Sequence, residues 1–419
     1  MTDLDKNAGT YIDLFSGCGG FSLGLGKAGW KGVFAVEKDA MAFDTFRHNL
    51  IDSKHGHFDW PEWLPKKETT IQDLLEHYRE QLALLSGKVD LIAGGPPCQG
   101  FSMAGRRNPK DPRNQLSNEY IKMVELIKPK YLVLENVRGF NSKFINAQGE
   151  KAKKPYSMVV KARLEKLGYN VYTDYVHSKR FGVPQQRVRF IMIGIRNDLP
   201  QIDPFDILEN IRPIFLKSNG LPLSEVSAKH AISDLEITNA TLVHHSGSLA
   251  SGFKKLDYIQ PQSLTAYQKL MRKGMGKRKP NSLRLARHKT TTIDSFIRAQ
   301  LLCRPGIALS KAEQTILGTK KQARTVLDPN APSKTLTTLP DDLLHYSEPR
   351  ILTVRESARI QSFPDSFEFK GKYTTGGERR TQECPRYTQV GNAVPPLLGE
   401  VLGYLFSCVM SKGNAVYEI

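Results

Sequence analysis

Short apolar runs alternate with helical patterns from residue 10 to residue 197. Apolar runs bounded by glycine, proline or polar residues are typical of buried parallel strands, and apolar residues at every third or fourth position are typical of helices. The predicted strands are 10–15, 32–36, 89–93, 131–137, 169–177 and 187–196, and the predicted helices are 21–28, 71–85, 119–127 and 157–167. Strands that alternate with helices predict an α/β fold with a mostly parallel, twisted sheet.

The alternation stops after residue 197. Between 198 and 333 the segments are short, irregular and punctuated by Pro, Gly and Ser, which predicts a second, smaller domain. A helix with a capping box formed by Thr353 and Glu356 follows, then a polar loop at 370–386 and a helix at 397–409. A chain of 419 residues exceeds the usual size of one core. We therefore expect a first domain at 1–197, a second at 198–345, and a C-terminal segment at 346–419 whose last helix completes the first domain.

Positive charge is concentrated in the predicted second domain. The chain carries a net charge of +18, and residues 211–330 contain 20 Lys and Arg against 7 Asp and Glu. A solubilising surface mixes both signs, whereas this excess indicates a polyanionic partner such as nucleic acid. We expect phosphate contacts from the basic run Arg272, Lys273, Lys277, Arg278 and Lys279, although 277–279 also fits a nuclear-localisation signal.

The composition also narrows the class of protein. No apolar run is long enough to span a membrane, and the first nine residues are polar and lack a signal-peptide pattern. The five cysteines are scattered without a C-x-x-C pair, so neither a disulfide framework nor a metal site is expected. We expect a soluble, cytoplasmic protein without a metal ion.

Cys98 follows the third predicted strand, directly after two glycines and two prolines. Open α/β sheets bind their ligands at the carboxyl ends of parallel strands. The prolines stiffen the chain, and a thiolate nucleophile needs a fixed geometry and a lowered pKa. A buried structural cysteine is the alternative, but a core thiol needs no rigid turn around it. Cys98 is therefore the candidate nucleophile.

The first strand, its glycine turn and the helix that follows are typical of a nucleotide-binding βαβ unit. Glu37 ends the second strand about twenty residues after that turn, a spacing typical of an acid that accepts hydrogen bonds from a ribose diol. A solvated glutamate at a strand end is the alternative. Asp73, near the start of a predicted helix, could cap that helix or contact a ligand base.

A further group of candidates lies on the fourth and sixth strands. Glu135 interrupts an apolar strand, which is costly unless the carboxylate meets a partner or has a function. A structural pair with an arginine is the alternative. Arg187 and Arg189 alternate along a predicted strand and should share one of its faces. Residues 101–118 lack periodicity and predict a mobile loop over the site.

Six sequence blocks, in this order, resemble those of the cytosine-5 DNA methyltransferases of bacterial restriction–modification systems. They are DLFSGCGGF at 13–21, GGPPCQGFS at 94–102, ENV at 135–137, QQRVR at 185–189, RILTVRESARIQSFP at 350–364 and GNAVP at 391–395. The resemblance implies a Rossmann-like catalytic domain that binds S-adenosylmethionine and a smaller, irregular, basic target-recognition domain. In that family the recognition region lies between the QQRVR and RILT blocks, where the basic stretch is found.

The resemblance also implies residue roles. Cys98 would add to carbon 6 of a target cytosine, and Glu135 would bond the ring nitrogen and exocyclic amine of the same base. Arg187 and Arg189 would help to hold the flipped base and the glutamate. S-Adenosylmethionine would be the methyl donor and S-adenosylhomocysteine the product. The implied donor-site residues are Phe15, Gly17, Cys18, Gly19, Glu37, Asp73, Pro97, Leu116, Asn392 and Val394, and Gln99 and Ser102 would contact DNA.

The implied function is sequence-specific methylation of double-stranded DNA in the bacterial cytoplasm, at the nucleoid. It would protect host DNA from a cognate restriction endonuclease, without a required complex and with the enzyme as a monomer. A tRNA cytosine-5 methyltransferase is one alternative, but that branch of the family has a short intervening region. A catalytically silent DNA-binding relative is another, but such a protein needs no nucleophile, and Cys98, Glu135 and Arg187 are intact.

Overall fold

The computed structural model describes residues 8–54, 56–97, 116–143, 154–245, 252–375 and 382–415. The chain divides into two compact units. Unit 1 comprises Met1–His177, Val188–Arg212 and Leu398–Ile419, and unit 2 comprises Ser178–Arg187 and Pro213–Leu397. The division by function at residues 197 and 345 stays a prediction.

Unit 1 is built around a six-stranded sheet with the order β2-β1-β3-β4-β6-β5. The strands are β1 (Thr10–Leu14), β2 (Lys31–Val36), β3 (Leu91–Gly94), β4 (Tyr131–Asn136), β5 (Tyr169–His177) and β6 (Val188–Arg196). The first four neighbours pair in parallel, and β6 is antiparallel to both β4 and β5. The predicted α/β fold with a mostly parallel sheet is confirmed.

The helices of unit 1 follow the predicted order, with two corrections and one helix, at Ala40–Leu50, that was not predicted. They are α1 (Gly20–Lys27), α2 (Ala40–Leu50), α3 (Ile71–His77), α4 (Arg79–Ala83), α5 (Leu116–Ile127) and α6 (Tyr156–Lys166). The single helix predicted at 71–85 is wrong, because Tyr78 leaves the helical conformation (φ −125°) and its ring lies 5.5 Å from that of Trp63. The end of the loop predicted at 101–118 is also wrong, since α5 begins at Leu116.

The long polar segment between α2 and α3 packs along the edge of the sheet. The N–H of Gly32 donates to the carbonyl of His57 at 2.9 Å, and the N–H of Asp59 donates to the carbonyl of Gly32 at 2.8 Å. Further on, the N–H of Thr69 donates to the carbonyl of Glu37 at 2.8 Å. The segment therefore returns residues 69–73 to the carboxyl end of β2.

The C-terminal helix α14 (Pro396–Ala415) packs closely on α1 within unit 1. A Cβ atom on Gly403 would lie 2.6 Å from the Cβ of Ala28, and the indole N–H of Trp30 donates to the carbonyl of Gly403 at 3.0 Å. Among the described residues, the helical stretch Arg386–Ser411 is long and apolar enough to cross a membrane, but 72% of its apolar window is buried within the protein. Such burial is typical of a core helix.

Unit 2 holds mostly short elements. They are α8 (Ala228–Ile232), α9 (Ala266–Met271), α10 (Thr290–Leu302), α11 (Lys311–Ile316), α12 (Val354–Ile360), α13 (Arg386–Asn392), β7 (Leu242–His244), β8 (Lys254–Leu256), β9 (Thr325–Val326) and β10 (Leu343–Leu344). The expectation of short segments throughout 198–333 is wrong for α10, with 13 residues, and for α7 (Pro204–Ser218), with 15. Pro213 lies inside α7.

The block at 350–364 has a structural role within unit 2. The predicted capping box is confirmed, because the Thr353 hydroxyl accepts from the N–H of Glu356 and the Glu356 carboxylate accepts from the N–H of Thr353. The Arg359 side chain is fully buried and pairs with Asp365, Nε to Oδ1 at 2.9 Å, and with Asp234. Buried charges of this kind are stable only when paired and hydrogen-bonded.

Candidate active site

The turn between β1 and α1 has an unusual backbone. Phe15 has a φ of 62°, which is rare for a residue with a side chain, and Gly17 and Gly19 have φ values of 56° and 96°. A Cβ atom on Gly17 would meet no described atom within 4 Å. The turn thus leaves open space beside its backbone at the carboxyl end of β1, where α/β sheets bind ligands.

The Glu37 carboxylate lies against this turn. Its Oε2 accepts the N–H of Gly17 at 2.9 Å, and its Oε1 accepts the N–H of Asp39 at 2.8 Å. Burial raises the pKa of Glu37, while both N–H bonds oppose that shift. Each carboxylate oxygen can still accept a further hydrogen bond from a ligand. Glu37 is therefore not the solvated strand-end glutamate of the alternative interpretation.

Asp73 lies in the first turn of α3 and takes part in its cap. The Thr70 hydroxyl accepts the N–H of Asp73 at 3.0 Å and donates to its Oδ2 at 2.6 Å. The bond from Thr70 lowers the pKa of Asp73, whose side chain is exposed. The N-cap itself is Thr70, so the structure assigns the cap to that residue and leaves the Asp73 carboxylate at the surface.

A buried ion pair joins β4 to β6. The Nε of Arg189 lies 2.6 Å from the Oε1 of Glu135, and the two side chains are 10% and 12% exposed. The N–H is not aligned for a hydrogen bond, so among the described residues both atoms lack a hydrogen-bond partner. Buried polar atoms without a well-formed hydrogen bond are rare in folded proteins, and a catalytic role is one of the explanations for them.

The chain that leads to Cys98 passes directly beside Glu135. A Cβ atom on Gly95 would lie 3.3 Å from the Oε2 of Glu135, so a larger residue there would press on the carboxylate. The side-chain amide of the buried Asn136 donates to the carbonyl of Pro96 at 3.2 Å. Asn136 therefore fixes this segment to β4, a role that the sequence reasoning missed although the residue lies within the ENV block. Cys98, Gln99 and Ser102 lie outside the described residues.

Arg187 lies just before β6, which begins at Val188, so the expectation that Arg187 and Arg189 share a strand face is wrong. In unit 2, the buried Arg187 guanidinium donates to the carbonyl of Gly391 at 3.2 Å and to that of Ala393 at 3.0 Å. These carbonyls flank Asn392, which ends α13 and is exposed. Arg187 therefore holds in place the loop that carries Asn392 and Val394, two residues predicted to contact the methyl donor.

Gly391, in the last turn of α13 before that loop, is required by a close backbone approach. A Cβ atom at this position would lie 2.3 Å from the carbonyl oxygen of Thr337. Backbone atoms cannot move aside as a flexible side chain can, so any other residue would displace the loop. The glycine of the GNAVP block is thus explained by packing within unit 2.

The comparison with known protein families decides the identity of the chain. A family model for C-5 cytosine-specific DNA methylases matches residues 9–406. The chain belongs to this family. The resemblance recognised in the six sequence blocks is confirmed, and the chain is a DNA cytosine-5 methyltransferase.

Curated relatives agree with this family, and solved structures share its fold. The chain is 30% identical to the type II methyltransferase M.DdeI of Desulfomicrobium norvegicum, with 97% of this chain and 90% of the relative covered. It is 31% identical to M1.HphI of Haemophilus parahaemolyticus, with 94% and 85% covered. A solved structure described as a DNA modification methyltransferase of an E. coli prophage matches with a TM-score of 0.62 and 21% identity, over 96% of this chain and 99% of that one. The S. pombe Dnmt2 methyltransferase matches with a TM-score of 0.52 and 17% identity, over 96% and 99%.

S-Adenosylmethionine is the methyl donor that the methyltransferase family implies, and the residues of unit 1 fit it. The Ser16 hydroxyl is buried and has no hydrogen-bond partner within the described part of the chain. Together with the open space at Gly17 and the Glu37 carboxylate, it provides hydrogen-bonding groups for a nucleoside. Cys18 is buried, and burial raises the pKa of its thiol, which keeps it neutral.

Two further residues that are predicted to contact the methyl donor, Pro97 and Leu116, border residues 98–115, which the structure does not describe. Pro97 is the last described residue before 98–115, and Leu116 begins α5 after that gap. Leu116 packs partly against the core of unit 1. In the described ranges, no group of three or more His, Cys, Asp or Glu is placed to hold a metal ion.

The basic run of this methyltransferase has a buried centre. Arg272 is 6% exposed, and its guanidinium stacks 4.6 Å from the Tyr258 ring and pairs with Asp365 at 3.4 Å. Its Nε donates to the Oε1 of Gln260 at 2.9 Å, and Nη2 donates to the carbonyls of Gly276 and Arg278, each at 3.2 Å. Arg272 therefore organises the basic turn, and its donors are already bonded within unit 2.

The other members of the run are exposed. Lys279 pairs with Asp257, and the Arg278 guanidinium donates to the carbonyl of Gly274 at 2.7 Å. Lys273 and Lys277 extend from the surface. Lys277 and Lys279 line an open cavity of about 670 Å³ with Gln260 and Lys269. This is the exposed basic surface that the sequence predicts for contact with DNA.

Proposed function

We propose that the protein is a sequence-specific DNA methyltransferase that modifies carbon 5 of a flipped-out cytosine through a covalent adduct with Cys98. The observation that carries the proposal is the buried Glu135–Arg189 pair beside the Gly95–Pro97 segment, which leads directly to Cys98. A carboxylate, a guanidinium and the approach to a thiol at one sheet edge are suited to activating a heterocyclic base.

Cys98 would act as the nucleophile. Its thiolate sulfur forms a bond to carbon 6, and the electron pair of the 5,6 double bond makes carbon 5 nucleophilic. S-Adenosylmethionine, when bound, supplies the electrophilic methyl group. A base then removes the proton from carbon 5, the 5,6 double bond re-forms and the Cys98 sulfur leaves. The bond from sulfur to carbon 6 is therefore temporary, whereas the new bond from carbon 5 to the methyl group remains in the product. Cys98 is regenerated.

Glu135 would hydrogen-bond to the ring nitrogen and exocyclic amine of the cytosine and stabilise the charge that develops when sulfur adds. Arg189 is a positioning residue for this step. Its contact with Oε1 leaves Oε2, the oxygen nearest Gly95, directed toward the segment that carries the nucleophile. Preorganised contacts of this kind act mainly on the transition state.

The target cytosine must leave the helix for this chemistry, because the faces of carbons 5 and 6 are covered in stacked DNA. Recognition of a specific site would come from unit 2, whose exposed lysines include Lys273 and Lys277. We propose that the enzyme acts as a monomer on DNA in the bacterial cytoplasm. It would protect that DNA from a cognate restriction endonuclease without forming a required complex with it.

Incubation of the protein with tritiated S-adenosylmethionine and unmethylated genomic DNA tests the proposal, followed by mapping of 5-methylcytosine by sequencing. Methylation at one short motif is the expected result. Label that enters total tRNA but not DNA would favour the tRNA methyltransferase. Label in neither nucleic acid would favour a catalytically silent relative.

DNA that contains 5-fluorocytosine at the mapped site tests the covalent step. Fluorine at carbon 5 leaves no proton to remove, so the adduct should persist as a protein–DNA band on a denaturing gel. The band should require Cys98 and S-adenosylmethionine. Methylation of normal DNA without any trapped band would contradict the covalent mechanism.

A further inference from the structure

A small sheet in unit 2 carries Leu242 and Leu256, beside Lys254 and His244, on one face, and Lys255, beside Val243, on the other. Strands β7 and β8 pair in antiparallel, and Arg284 forms an isolated antiparallel bridge with Lys255, with the N–H of Leu285 bonded to the carbonyl of Lys254 at 2.8 Å. Leu256 and Leu283 point to one face, where they form a buried cluster with Leu235 and Tyr258. Because side chains alternate along strands, their neighbours Lys255 and Arg284 point to the other face.

Lys255 and Arg284 lie directly opposite each other, since these two residues form an antiparallel bridge. Like charges at opposed positions of neighbouring strands destabilise a sheet. Neither side chain has an ion pair or hydrogen bond with a carboxylate within the described residues. The pairing therefore suggests that a negative charge from elsewhere is bound here.

The Arg284 guanidinium is clamped between two aromatic rings. It lies 4.1 Å from the centre of the Phe253 ring and 3.7 Å from that of Tyr373. The Arg386 guanidinium lies 4.5 Å from the same Tyr373 ring and is held by the carbonyl of Gly371 at 2.9 Å. Stacking on both faces fixes a guanidinium while its edge remains able to donate to planar or tetrahedral anions.

Two buried nitrogen atoms in this cluster lack partners. The Nε of Arg284 and the Nδ1 of His245 are inaccessible to solvent and have no hydrogen-bond partner in the described part of the chain. The His245 ring lies edge-on to Tyr373, with centres 5.6 Å apart. Burial lowers the pKa of Arg284, and Arg386 lowers it further. Burial and the neighbouring cations Arg284, Lys255 and Arg386 also lower the pKa of His245.

We propose that this cationic face, formed by His245, Lys255, Arg284 and Arg386, binds a backbone phosphate of the substrate DNA. The inference rests on the proposed function, and it adds a contact separate from the basic run at 272–279. A phosphate would neutralise the opposed pair and accept from the fixed guanidinium edge. Contacts with phosphates position the protein on DNA and carry no sequence information themselves.

Fluorescence anisotropy of full-length protein with a DNA duplex that contains the mapped site, over a series of salt concentrations, tests the inference. Lys255→Gln and Arg284→Gln should each raise Kd roughly tenfold at low salt, since a charge-assisted contact is lost. Each should also reduce the slope of log K against log salt by about 0.9, the value for one phosphate contact. The methylated motif should not change.

Lys179→Gln is the matched control, because it also removes one positive charge from unit 2. Glu225 neutralises Lys179 at 2.7 Å, so its loss should leave Kd and the salt slope unchanged. Arg284→Lys tests the clamp, since it keeps the charge but loses the stacked plane, and it should bind DNA less tightly than the wild type. Melting curves for all variants confirm that they are folded.

Unchanged affinity and salt slope in both Lys255→Gln and Arg284→Gln would overturn the inference. So would a defect that appears with tRNA and is absent with DNA. Wild-type methylation of DNA is measured in the same preparations, so failure of the proposed function is recognised separately, as a wild type that binds but transfers no methyl group.

Discussion

The Oε1 atom of Glu135 lies 2.6 Å from the Nε atom of Arg189, although the residues are on different strands of the sheet and 54 positions apart. Antiparallel pairing of β4 with β6 brings them together, in a sheet whose other described strands run parallel to one another. The one reversed strand therefore places a fixed cation beside the carboxylate at the edge where the sheet binds ligands.

Replacement of Glu135 should lower the rate of methyl transfer and leave substrate binding intact. Glu135→Gln should lower kcat by roughly 10²–10⁴-fold, the range for loss of a group that assists proton and charge movement. Arg189→Gln should lower kcat as well, and Arg189→Lys should restore part of the loss because the charge is kept. Single-turnover methyl transfer at saturating DNA measures these effects. If the loss of activation free energy in the double mutant equalled the sum of the losses in the two single mutants, the two residues would act independently. That result would contradict a coupled pair.

Cys98→Ser should abolish methyl transfer while the protein remains folded. A serine hydroxyl is far less ionised than a thiol and adds poorly to carbon 6. Cys384→Ser is a control that removes a thiol from unit 2. Transfer of tritium from S-adenosylmethionine, together with the melting temperature, measures the outcome. Turnover in Cys98→Ser at the wild-type rate would refute the nucleophile.

Glu37→Gln should weaken S-adenosylmethionine binding roughly tenfold, because the neutral amide accepts weaker hydrogen bonds than a carboxylate. The kcat at saturating donor should change little, since Glu37 does not contact the reacting methyl group in the proposal. Isothermal titration with S-adenosylmethionine alone gives the dissociation constant without relying on activity. The exposed Glu68, replaced by Gln, is the control. Equal affinity in Glu37→Gln and wild type would remove Glu37 from the donor site.

Replacement of Arg272 should lower the stability of the protein, whereas replacement of Lys277 should weaken DNA binding. Arg272→Gln leaves the buried Asp365 without that partner and frees the basic turn, so the free energy of unfolding should fall by about 3 kcal/mol. Lys277→Ala should leave stability unchanged, weaken DNA binding at all sequences and reduce the salt slope by about one unit. Urea unfolding and anisotropy measure the two effects. A stable Arg272→Gln with weakened DNA binding would reverse this assignment.

Asp13 should make stability decrease as pH rises from about 4 to 7. It is 1% exposed and accepts from the Ser22 hydroxyl at 2.6 Å, and burial raises its pKa to about 7. At pH values between the unfolded-state pKa and the folded-state pKa of Asp13, the native state binds one more proton than the unfolded state. The stability present at low pH is therefore lost as pH rises through 7. Asp13→Asn should therefore unfold at higher temperature than wild type at pH 8 and show a smaller difference at pH 5. Thermal melts at both pH values measure this, and a difference that is equal at pH 5 and pH 8 would contradict the raised pKa.

The sequence by itself determined the α/β fold, the strands of the sheet in chain order and the family. Strand and helix periodicities are local properties, and blocks such as DLFSGCGGF at 13–21 are contiguous in the chain. Glu37 was predicted as an acceptor for the same reason, because its spacing from the glycine turn is fixed by one βαβ unit.

The tertiary structure decided which charged residues are buried and what they bond. Arg272 and Lys277 belong to one basic run, yet the first is paired inside unit 2 and the second is exposed. Arg187 and Arg189 are two positions apart, yet one holds the carbonyls beside Asn392 and the other meets Glu135. These differences depend on contacts between residues far apart in sequence, and local pattern carries no information about such contacts. The clamp on Arg284 was hidden for the same reason, since its two rings come from separate segments that meet only when unit 2 folds.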